Sequence, residues 1–305
     1  MYRNTFLSVM FLACCFNGSL CAQSDAQIYE RTCDAKTYPF SDPSPVATPN
    51  NSYYPYFRFD GFSMQAQEKQ WKMVVLENDY VKLTVTPEIG GKIWGAIDKV
   101  NNKEFVYTNG VVKFRDVAMR GPWTSGGIEF NFGIIGHAPT CSTPIDYLTK
   151  KNVDGSVSCH IFSYEWITRT VWNVEINLPK DKAYFTTHTT WFNQSSIDQP
   201  YYQWMNAGYA TKTGTRFYYP GTYSIGHSGD LHPYPIDEEG RDVSWYDNNN
   251  FGASKSLHII GDYNDYFGIY WHNEKHGSAH YSNYDEKLGM KFYLWSFSRE
   301  GATID

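Results

Sequence analysis

The sequence has no cluster of basic residues and carries little charge overall. Charged residues make up 19% of the 305 positions, and the formal net charge is −6. Nucleic-acid binding needs a clustered basic surface, and no run of Lys or Arg along this chain would supply one. We therefore expect no nucleic-acid partner.

Several well-known catalytic motifs are also missing. The chain contains no G-x-S-x-G elbow, no glycine-rich phosphate loop and no H-E-x-x-H sequence. Nucleotide cofactors and serine hydrolysis therefore have no support in the sequence, and we expect the protein to work without a cofactor.

No hydrophobic run is long enough to cross a membrane as a helix. The apolar run at residues 5–16 is shorter than the ~20 residues that a spanning helix needs. A positive charge precedes this run and Leu20-Cys21-Ala22 follows it, which predicts an export signal over residues 1–22 and a periplasmic or extracellular protein. Lipid anchoring through Cys21 is the alternative, although Leu20 stands where a lipoprotein signal has a small residue.

Cysteine is scarce, and half of it lies in the predicted signal. An exported chain would keep Cys33, Cys141 and Cys159, an odd number that leaves at least one thiol unpaired. None of them has C-x-x-C spacing, so we expect no zinc site built from cysteines. A Cys141–Cys159 disulfide remains an open alternative.

Helical periodicity is absent as well, and the pattern is that of β-strands. In YVKLTVTP, Val81, Leu83 and Val85 alternate with polar residues, which is the period of a half-buried strand. Similar short runs recur at roughly ten-residue spacing, separated by Gly, Asn and Asp turns. This pattern predicts an all-β fold, a large sandwich of twisted antiparallel sheets.

The chain divides into three segments by composition. Residues 23–70 follow the signal and predict an extended lead-in, because residues 38–56 are rich in Pro, Ser and Asn. Residues 71–305 show the strand pattern and predict one β-domain. The chain stops soon after a strand-like run, so we expect this domain to be incomplete at its C-terminal end.

The segment RGPWTSGGIEFNFGIIGHAPT concentrates polar and aromatic residues among glycines. If GIEFNFG is a strand, its apolar residues enter the core, while Glu129 and Asn131 face solvent or a cleft. His137 follows in a Gly-His-Ala-Pro turn. We expect Glu129 and His137 to be catalytic. Arg120, Trp123 and Asn131 are expected to bind substrate, and Arg120 would suit the carboxylate of an acidic sugar.

Two further segments carry candidate residues. YYQWMNAGYA places Trp204 and Asn206 on one strand face, where a ring and an amide could bind a sugar. A long loop carries His227, Asp230 and His232, with Asp230 as an alternative catalytic carboxylate and both histidines as binding residues. No metal site is expected, since the histidines lack ligand spacing, although calcium on Asp230 and Asp237 is an alternative.

Four segments together resemble an uncharacterised bacterial family of the galactose mutarotase-like superfamily, which is common among polysaccharide-degrading bacteria. They are VTPEIGGKIWGAIDKVNNKEFVY, RGPWTSGGIEFNFGIIGHAPT, YPGTYSIGH and GRDVSWYDNNNFGASKS. The resemblance implies a β-supersandwich whose concave face binds carbohydrate. The resemblance to aldose 1-epimerases themselves is weaker, because those enzymes have an Asn-His pair where this chain has Asn206-Ala207. His137 or His227 would then have to replace that imidazole.

These features favour an exported enzyme that acts on a glycan or oligosaccharide by carboxylate and imidazole acid–base chemistry. Both glycosidic bond cleavage and sugar epimerisation fit the same residues. A carbohydrate-binding module of the same fold is the first alternative, and a structural surface protein is the second. A carbohydrate is the expected partner in the first two cases.

Overall fold

The computed structural model describes most of the region assigned to the β-domain. The described residues are 24–39, 63–116, 122–133, 136–165, 168–200, 202–252, 254–286 and 289–294. The predicted export signal, most of the Pro-rich segment and the C-terminal residues 295–305 lie outside them. No described helix is long and apolar enough to span a membrane.

The described structure is almost entirely β, as the strand pattern predicts. The N-terminal part of the chain forms the first sheet, of eight strands. They are β1 (Gln27–Thr37), β2 (Gln67–Glu77), β3 (Val81–Thr86), β4 (Lys92–Asp98), β5 (Lys103–Val106), β6 (Val111–Val112), β9 (Ile128–Phe132) and β14 (Gln203–Ala207). Their order is β14-β9-β4-β3-β2-β1-β6, with β5 beside β4, and every pairing is antiparallel except that of β1 with β6.

Four smaller sheets complete the described structure. A short hairpin joins β7 (Arg115–Asp116) and β8 (Pro122–Trp123). The second sheet consists of β10 (Asp146–Lys151), β11 (Val157–Glu165), β12 (Thr170–Leu178) and β13 (Thr186–Asn193), in that order. The third sheet, in the order β15-β19-β20, consists of β15 (Thr215–Tyr218), β19 (Tyr266–Trp271) and β20 (His276–Tyr281). The fourth, in the order β17-β16-β18-β21, consists of β16 (Tyr223–Ile225), β17 (Leu231–Pro233), β18 (Lys255–Ile260) and β21 (Met290–Leu294).

The first and second sheets enclose the main hydrophobic core. Strand β12 alternates buried and half-buried residues along its whole length, so one face enters this core. Trp172 of β12 stacks on Phe132 of β9 with ring centroids 4.6 Å apart. Such aromatic pairs add about 0.5–1.5 kcal/mol beyond the burial of their area. The contact therefore fixes β9 firmly against the second sheet.

A separate core lies between the third and fourth sheets. Its centre includes Phe217, Trp271 and Phe292, and Phe217 stacks on Phe292 at 4.6 Å between ring centroids. Tyr209 follows β14 and packs against both cores. The two halves of the described structure are thus in contact through this ring.

Strand β1 lies within the segment that the sequence assigns to an extended lead-in. It pairs with β2 over all of Gln27–Thr37 and is part of the first sheet. The position 71, where the strand pattern becomes clear in the sequence, falls inside β2. The reason is that most residues of β1 are exposed, so its sequence lacks the apolar alternation of a half-buried strand.

Candidate functional site

Strand β9 carries polar side chains on the face opposite to its apolar ones. Ile128, Phe130 and Phe132 enter the main core, as the alternation predicts. Glu129 and Asn131 point the other way, but they are 2% and 0% exposed. The expectation that this pair could face solvent is therefore wrong. Their polar groups are buried because neighbouring polar side chains satisfy most of them.

The Glu129 carboxylate is held by three N–H groups directed at one oxygen. Oε1 accepts hydrogen bonds from His137 Nδ1 at 2.5 Å, Asn131 Nδ2 at 3.2 Å and Asn206 Nδ2 at 3.2 Å. Asn206 reaches it because β14 pairs with β9 in a register that places Asn206 opposite Glu129. An ionised carboxylate can only accept, so Nδ1 of the imidazole carries its hydrogen.

The other carboxylate oxygen, Oε2, is buried and receives no hydrogen bond from the described residues. Buried polar atoms are nearly always hydrogen-bonded, and leaving one unsatisfied costs free energy. Oε2 is therefore an unsatisfied acceptor beside an oxygen that accepts three hydrogen bonds.

Glu129 is ionised in this environment. Burial raises the pKa of its carboxyl, but the hydrogen bond and charge of His137, the charge of Lys92 and the amide of Asn131 outweigh burial and hold the pKa below its usual value. The carboxylate is consequently a hydrogen-bond acceptor and a negative charge at neutral pH, and it has no proton to donate.

His137 is the member of the pair nearer the surface, at 9% exposure. Its ring stacks on Trp123 at 5.5 Å and meets the edge of Trp204 at 5.1 Å, both between ring centroids. Trp204 Nε1 donates to the Gly136 carbonyl at 3.0 Å, which fixes the turn before the histidine. With Nδ1 bound to Glu129, the basic nitrogen is Nε2, which bonds none of the described residues.

Asn131 joins the strand to the chain that follows it. Its Oδ1 accepts the Ala138 backbone N–H at 2.8 Å and the Cys141 thiol at 3.1 Å, while its Nδ2 donates to Glu129. The amide orientation is fixed by these partners, because only Nδ2 can donate to the carboxylate. Asn131 therefore positions Glu129, where the sequence predicted a substrate contact.

Two buried residues near this cluster were not predicted from the sequence as site residues. Lys92 of β4 donates through Nζ to the Thr124 carbonyl and to Thr124 Oγ1, the latter at 3.0 Å. Burial lowers the pKa of Lys92, while the charges of Glu129 and Cys141 act in the opposite direction. The one sequence feature that could have indicated this buried lysine is its position inside the apolar run GGKIWG.

Cys141 is the other residue of this kind, and it is a free thiol. Burial raises its pKa well above the usual value, and the negative charge of Glu129 raises it further. Cys33 and Cys159 are also unpaired. The alternative of a Cys141–Cys159 disulfide is therefore wrong. Cys159 lies in β11, and its pKa is raised by burial to about 12.

The remaining predicted residues lie elsewhere. Asp230, His227 and His232 belong to the fourth sheet and its loop, where they are exposed, and none contacts Glu129 or His137. His227 lines a cleft of about 610 Å³ together with Tyr202 and His258. His232 pairs with Glu238 at 2.9 Å. Arg120 lies outside the described residues.

Metal-ligating groups are not clustered in the part of the chain that the structure describes. No group of three or more His, Cys, Asp or Glu residues there could hold a metal ion. Asp237, one of the two residues considered for calcium, binds Arg241 through its carboxylate at 2.7 Å.

The fold resembles two solved structures. A TPR-domain containing protein from Parabacteroides distasonis ATCC 8503 matches 91% of this chain with a TM-score of 0.79 and 22% identity, and this chain spans 48% of that protein's length. A putative aldose 1-epimerase from Klebsiella pneumoniae subsp. pneumoniae MGH 78578 matches 87% of this chain and 78% of its own, with a TM-score of 0.52 and 9% identity. At these identities the likeness shows the fold, which is galactose mutarotase-like.

A family model gives the most specific assignment. It carries the description "Domain of unknown function (DUF5107)" and matches residues 48–305, which is most of the chain and includes every residue of the Glu129 cluster. The chain therefore belongs to the DUF5107 family.

Proposed function

We propose that Glu129 and His137 form an acid–base site that acts on a carbohydrate. The observation that supports this most directly is the 2.5 Å contact between Glu129 Oε1 and Nδ1 of His137, the member of the pair nearer the surface. A carboxylate that accepts the Nδ1–H bond orients the imidazole and leaves Nε2 as the ring nitrogen that can accept a proton.

Two tryptophans support a sugar as the ligand. Trp123 and Trp204 are half-buried and flank His137 on different sides. Aromatic rings bind the C–H faces of sugars, and nearby amides and carboxylates bind the hydroxyls. Arg120 would add a contact to an acidic sugar, and export by residues 1–22 would bring the protein to extracellular or periplasmic glycans.

The surroundings of the site favour proton transfer at a sugar hydroxyl. His137 Nε2 would accept the proton of the anomeric hydroxyl while the bond between C1 and the ring oxygen breaks, and the imidazolium would give that proton to the ring oxygen. The reverse steps on the open-chain aldehyde would close the ring on either face of the anomeric carbon. Hydrolysis of a glycosidic bond usually needs two carboxyl groups about 5–10 Å apart. Glu129 is the one carboxylate that contacts His137 among the described residues. Epimerisation is therefore the first candidate reaction and glycosidic cleavage the second.

A carbohydrate-binding module is the competing function. It would use the same tryptophans and amides and would need no base. The buried carboxylate favours the enzyme, because sugar binding alone does not need an ionised group behind an imidazole.

Product analysis on a panel of mono- and oligosaccharides tests the proposal. We compare the wild-type protein with Glu129→Gln and His137→Asn, and follow anomeric exchange by NMR and bond cleavage by chromatography. His232→Asn is the matched control, because His232 also contacts a carboxylate but is exposed and lies on the fourth sheet.

We expect both site variants to lose turnover by about 10²- to 10⁴-fold, the usual contribution of a positioned acid or base. Saccharide binding should change by about threefold or less, and His232→Asn should behave as wild type. Binding without turnover in the wild-type protein would support the module. Full activity in both site variants would exclude the pair as the catalytic group.

A further inference from the structure

The outer face of the third sheet carries an arginine among aromatic rings. In β15, Phe217 enters the core, while Arg216 and Tyr218 point to the opposite face. The register places Tyr270 opposite Arg216 and Gly268 opposite Tyr218. Cation, rings and small residues thus share one surface of this sheet.

The guanidinium of Arg216 lies between two rings. Its Cζ is 5.1 Å from the ring centroid of Tyr218 and 5.1 Å from that of Trp245. Nε is buried and has no acceptor among the described residues, whereas Nη1 and Nη2 are not buried and bond none of those residues either. The terminal nitrogens Nη1 and Nη2 of the guanidinium are therefore accessible between the rings of Tyr218 and Trp245.

Nearby carboxylates are used by other groups. Asp242 accepts hydrogen bonds from Ser244, and Asp247 accepts the backbone N–H of Gly214 at 2.8 Å. Neither forms an ion pair with Arg216. In the described structure, the Arg216 guanidinium therefore contacts aromatic rings and forms no ion pair.

The surrounding rings form a shaped platform. Tyr218 is 43% exposed, and its hydroxyl lies 3.1 Å from His272 Nε2. His272 in turn contacts the rings of Trp245 and Tyr270, each at 4.9 Å between centroids. Tyr270 lies beside Gly277, its partner on β20, where a Cβ would come within 2.6 Å of the tyrosine ring. The platform therefore has fixed aromatic walls beside the guanidinium.

A second arginine shows what the usual arrangement looks like. Arg241 also lies over a ring, that of Phe251 at 3.5 Å, but it pairs with Asp237 at 2.7 Å and Glu239 at 2.6 Å. Partly buried guanidinium groups normally have such partners, because burying an unpaired charge is costly. Arg216 has no such partner among the described residues, so its guanidinium is available there to an external anion.

We propose that Arg216 binds the carboxylate of an acidic oligosaccharide, such as one that contains uronic acid. The planar fork of Nη1 and Nη2 matches a carboxylate in a bidentate contact, and Tyr218 and Trp245 offer ring faces to the sugar. This surface belongs to a different sheet from Glu129, so binding here does not depend on the chemistry proposed for the Glu129–His137 pair.

The test compares trigalacturonate with the uncharged galactose trisaccharide of the same linkage, by titration calorimetry on the full chain. The variants are Arg216→Gln and Arg216→Lys, with Arg241→Gln as the control for removing an arginine that lies over a ring. Arg216→Lys keeps a positive charge near the rings but removes the planar pair of N–H donors that binds a carboxylate in a bidentate contact. Thermal melting of each variant confirms that it is folded.

We expect the wild-type protein to bind the acidic trisaccharide at least about tenfold more tightly than the neutral one, because hydrogen bonds to charged groups are the stronger ones. Arg216→Gln should remove this difference, Arg216→Lys should reduce it, and Arg241→Gln and Glu129→Gln should retain it.

Four results would overturn the proposal. One is that folded Arg216→Gln binds the acidic trisaccharide as tightly as the wild type does. If Arg216→Gln does not fold, the same result with folded Arg216→Lys counts instead. Another is equal affinity of the wild type for the two trisaccharides. The third is equal or tighter binding of triglutamate, which would show a site for anions without preference for sugar. The fourth is loss of binding of the acidic trisaccharide in Glu129→Gln alone, which would place the sugar carboxylate at the Glu129–His137 pair.

Discussion

At the scale of single residues, the two oxygens of Glu129 have different surroundings. Oε1 accepts three hydrogen bonds, and Oε2 accepts none from the described residues. The three donors stabilise the ionised form, so the carboxylate holds the imidazole of His137 in the tautomer that leaves Nε2 free to take a proton. In the proposed function, His137 therefore transfers the proton and Glu129 orients the imidazole.

The ionisation of Glu129 predicts a pH dependence of stability. Its folded pKa is lower than the usual 4.5, so the ionised carboxylate stabilises the fold fully above that value and less as the pH falls through the folded pKa. At neutral pH we expect Glu129→Gln to lower the free energy of unfolding by about 1–3 kcal/mol. In acid the difference from wild type should shrink. Urea unfolding at a series of pH values measures it.

Glu286→Gln is the control for this experiment, because Glu286 is exposed at the surface and its replacement should change stability by less than about 0.5 kcal/mol. A difference between wild type and Glu129→Gln that persists unchanged to about pH 3 would contradict the ionised, stabilising carboxylate.

At the scale of elements, the site depends on how β9 connects to the chain after it. The Asn131 amide bonds Glu129 on one side and, on the other, both the backbone of Ala138 and the thiol of Cys141 in the 3-10 helix Pro139–Ser142. One side chain therefore sets the distance between the strand that carries Glu129 and the turn that carries His137.

Asn131→Asp tests this connection. The substitution removes the donor to Glu129 and places a second carboxyl beside it, so like charges meet in a buried site. We expect the free energy of unfolding to fall by about 2–4 kcal/mol, as measured by urea unfolding at neutral pH.

Asn283→Asp is the matched control, since Asn283 is exposed and its Oδ1 accepts the Asp285 N–H, a bond that aspartate can also make. If Asn131→Asp were no less stable than this control, the amide of Asn131 would have no positioning role.

The sequence predicted the local features of these elements well. Alternation in YVKLTVTP and GIEFNFG gave strands with the correct inward residues, and β14 brought Trp204 and Asn206 together on the face that meets Glu129 and His137. Burial of the polar face was not predictable, because alternation reports which residues share a face and not what covers that face. The role of Lys92 was missed for the same reason.

At the scale of the whole molecule, the described structure has three hydrophobic clusters, of which the two larger ones lie in different halves. One lies between the first and second sheets and holds β9, and the other lies between the third and fourth sheets. Tyr209 packs against both, and Lys103 of the first sheet donates to the Glu274 carbonyl beside the third. The Glu129 cluster belongs to the first half and the Arg216 surface to the second.

Long-range strand order was the part that the sequence could not supply. β9 lies between β4 and β14, strands far from it along the chain, and this pairing alone brings Asn206 to Glu129. The histidines of the long loop looked equally suitable in sequence, yet that loop pairs into the fourth sheet. Spacing along a chain does not determine which sheet a strand joins.

The proposed function requires a sugar hydroxyl to meet His137, whose imidazole Glu129 orients. The most direct measurement is a crystal structure of the catalytically impaired His137→Asn variant with a saccharide substrate bound. We expect a sugar beside Trp123 and Trp204, with a hydroxyl oxygen within about 3.2 Å of the side chain at position 137. A saccharide bound only on the third or fourth sheet, with the Glu129 site holding no sugar, would contradict the claim.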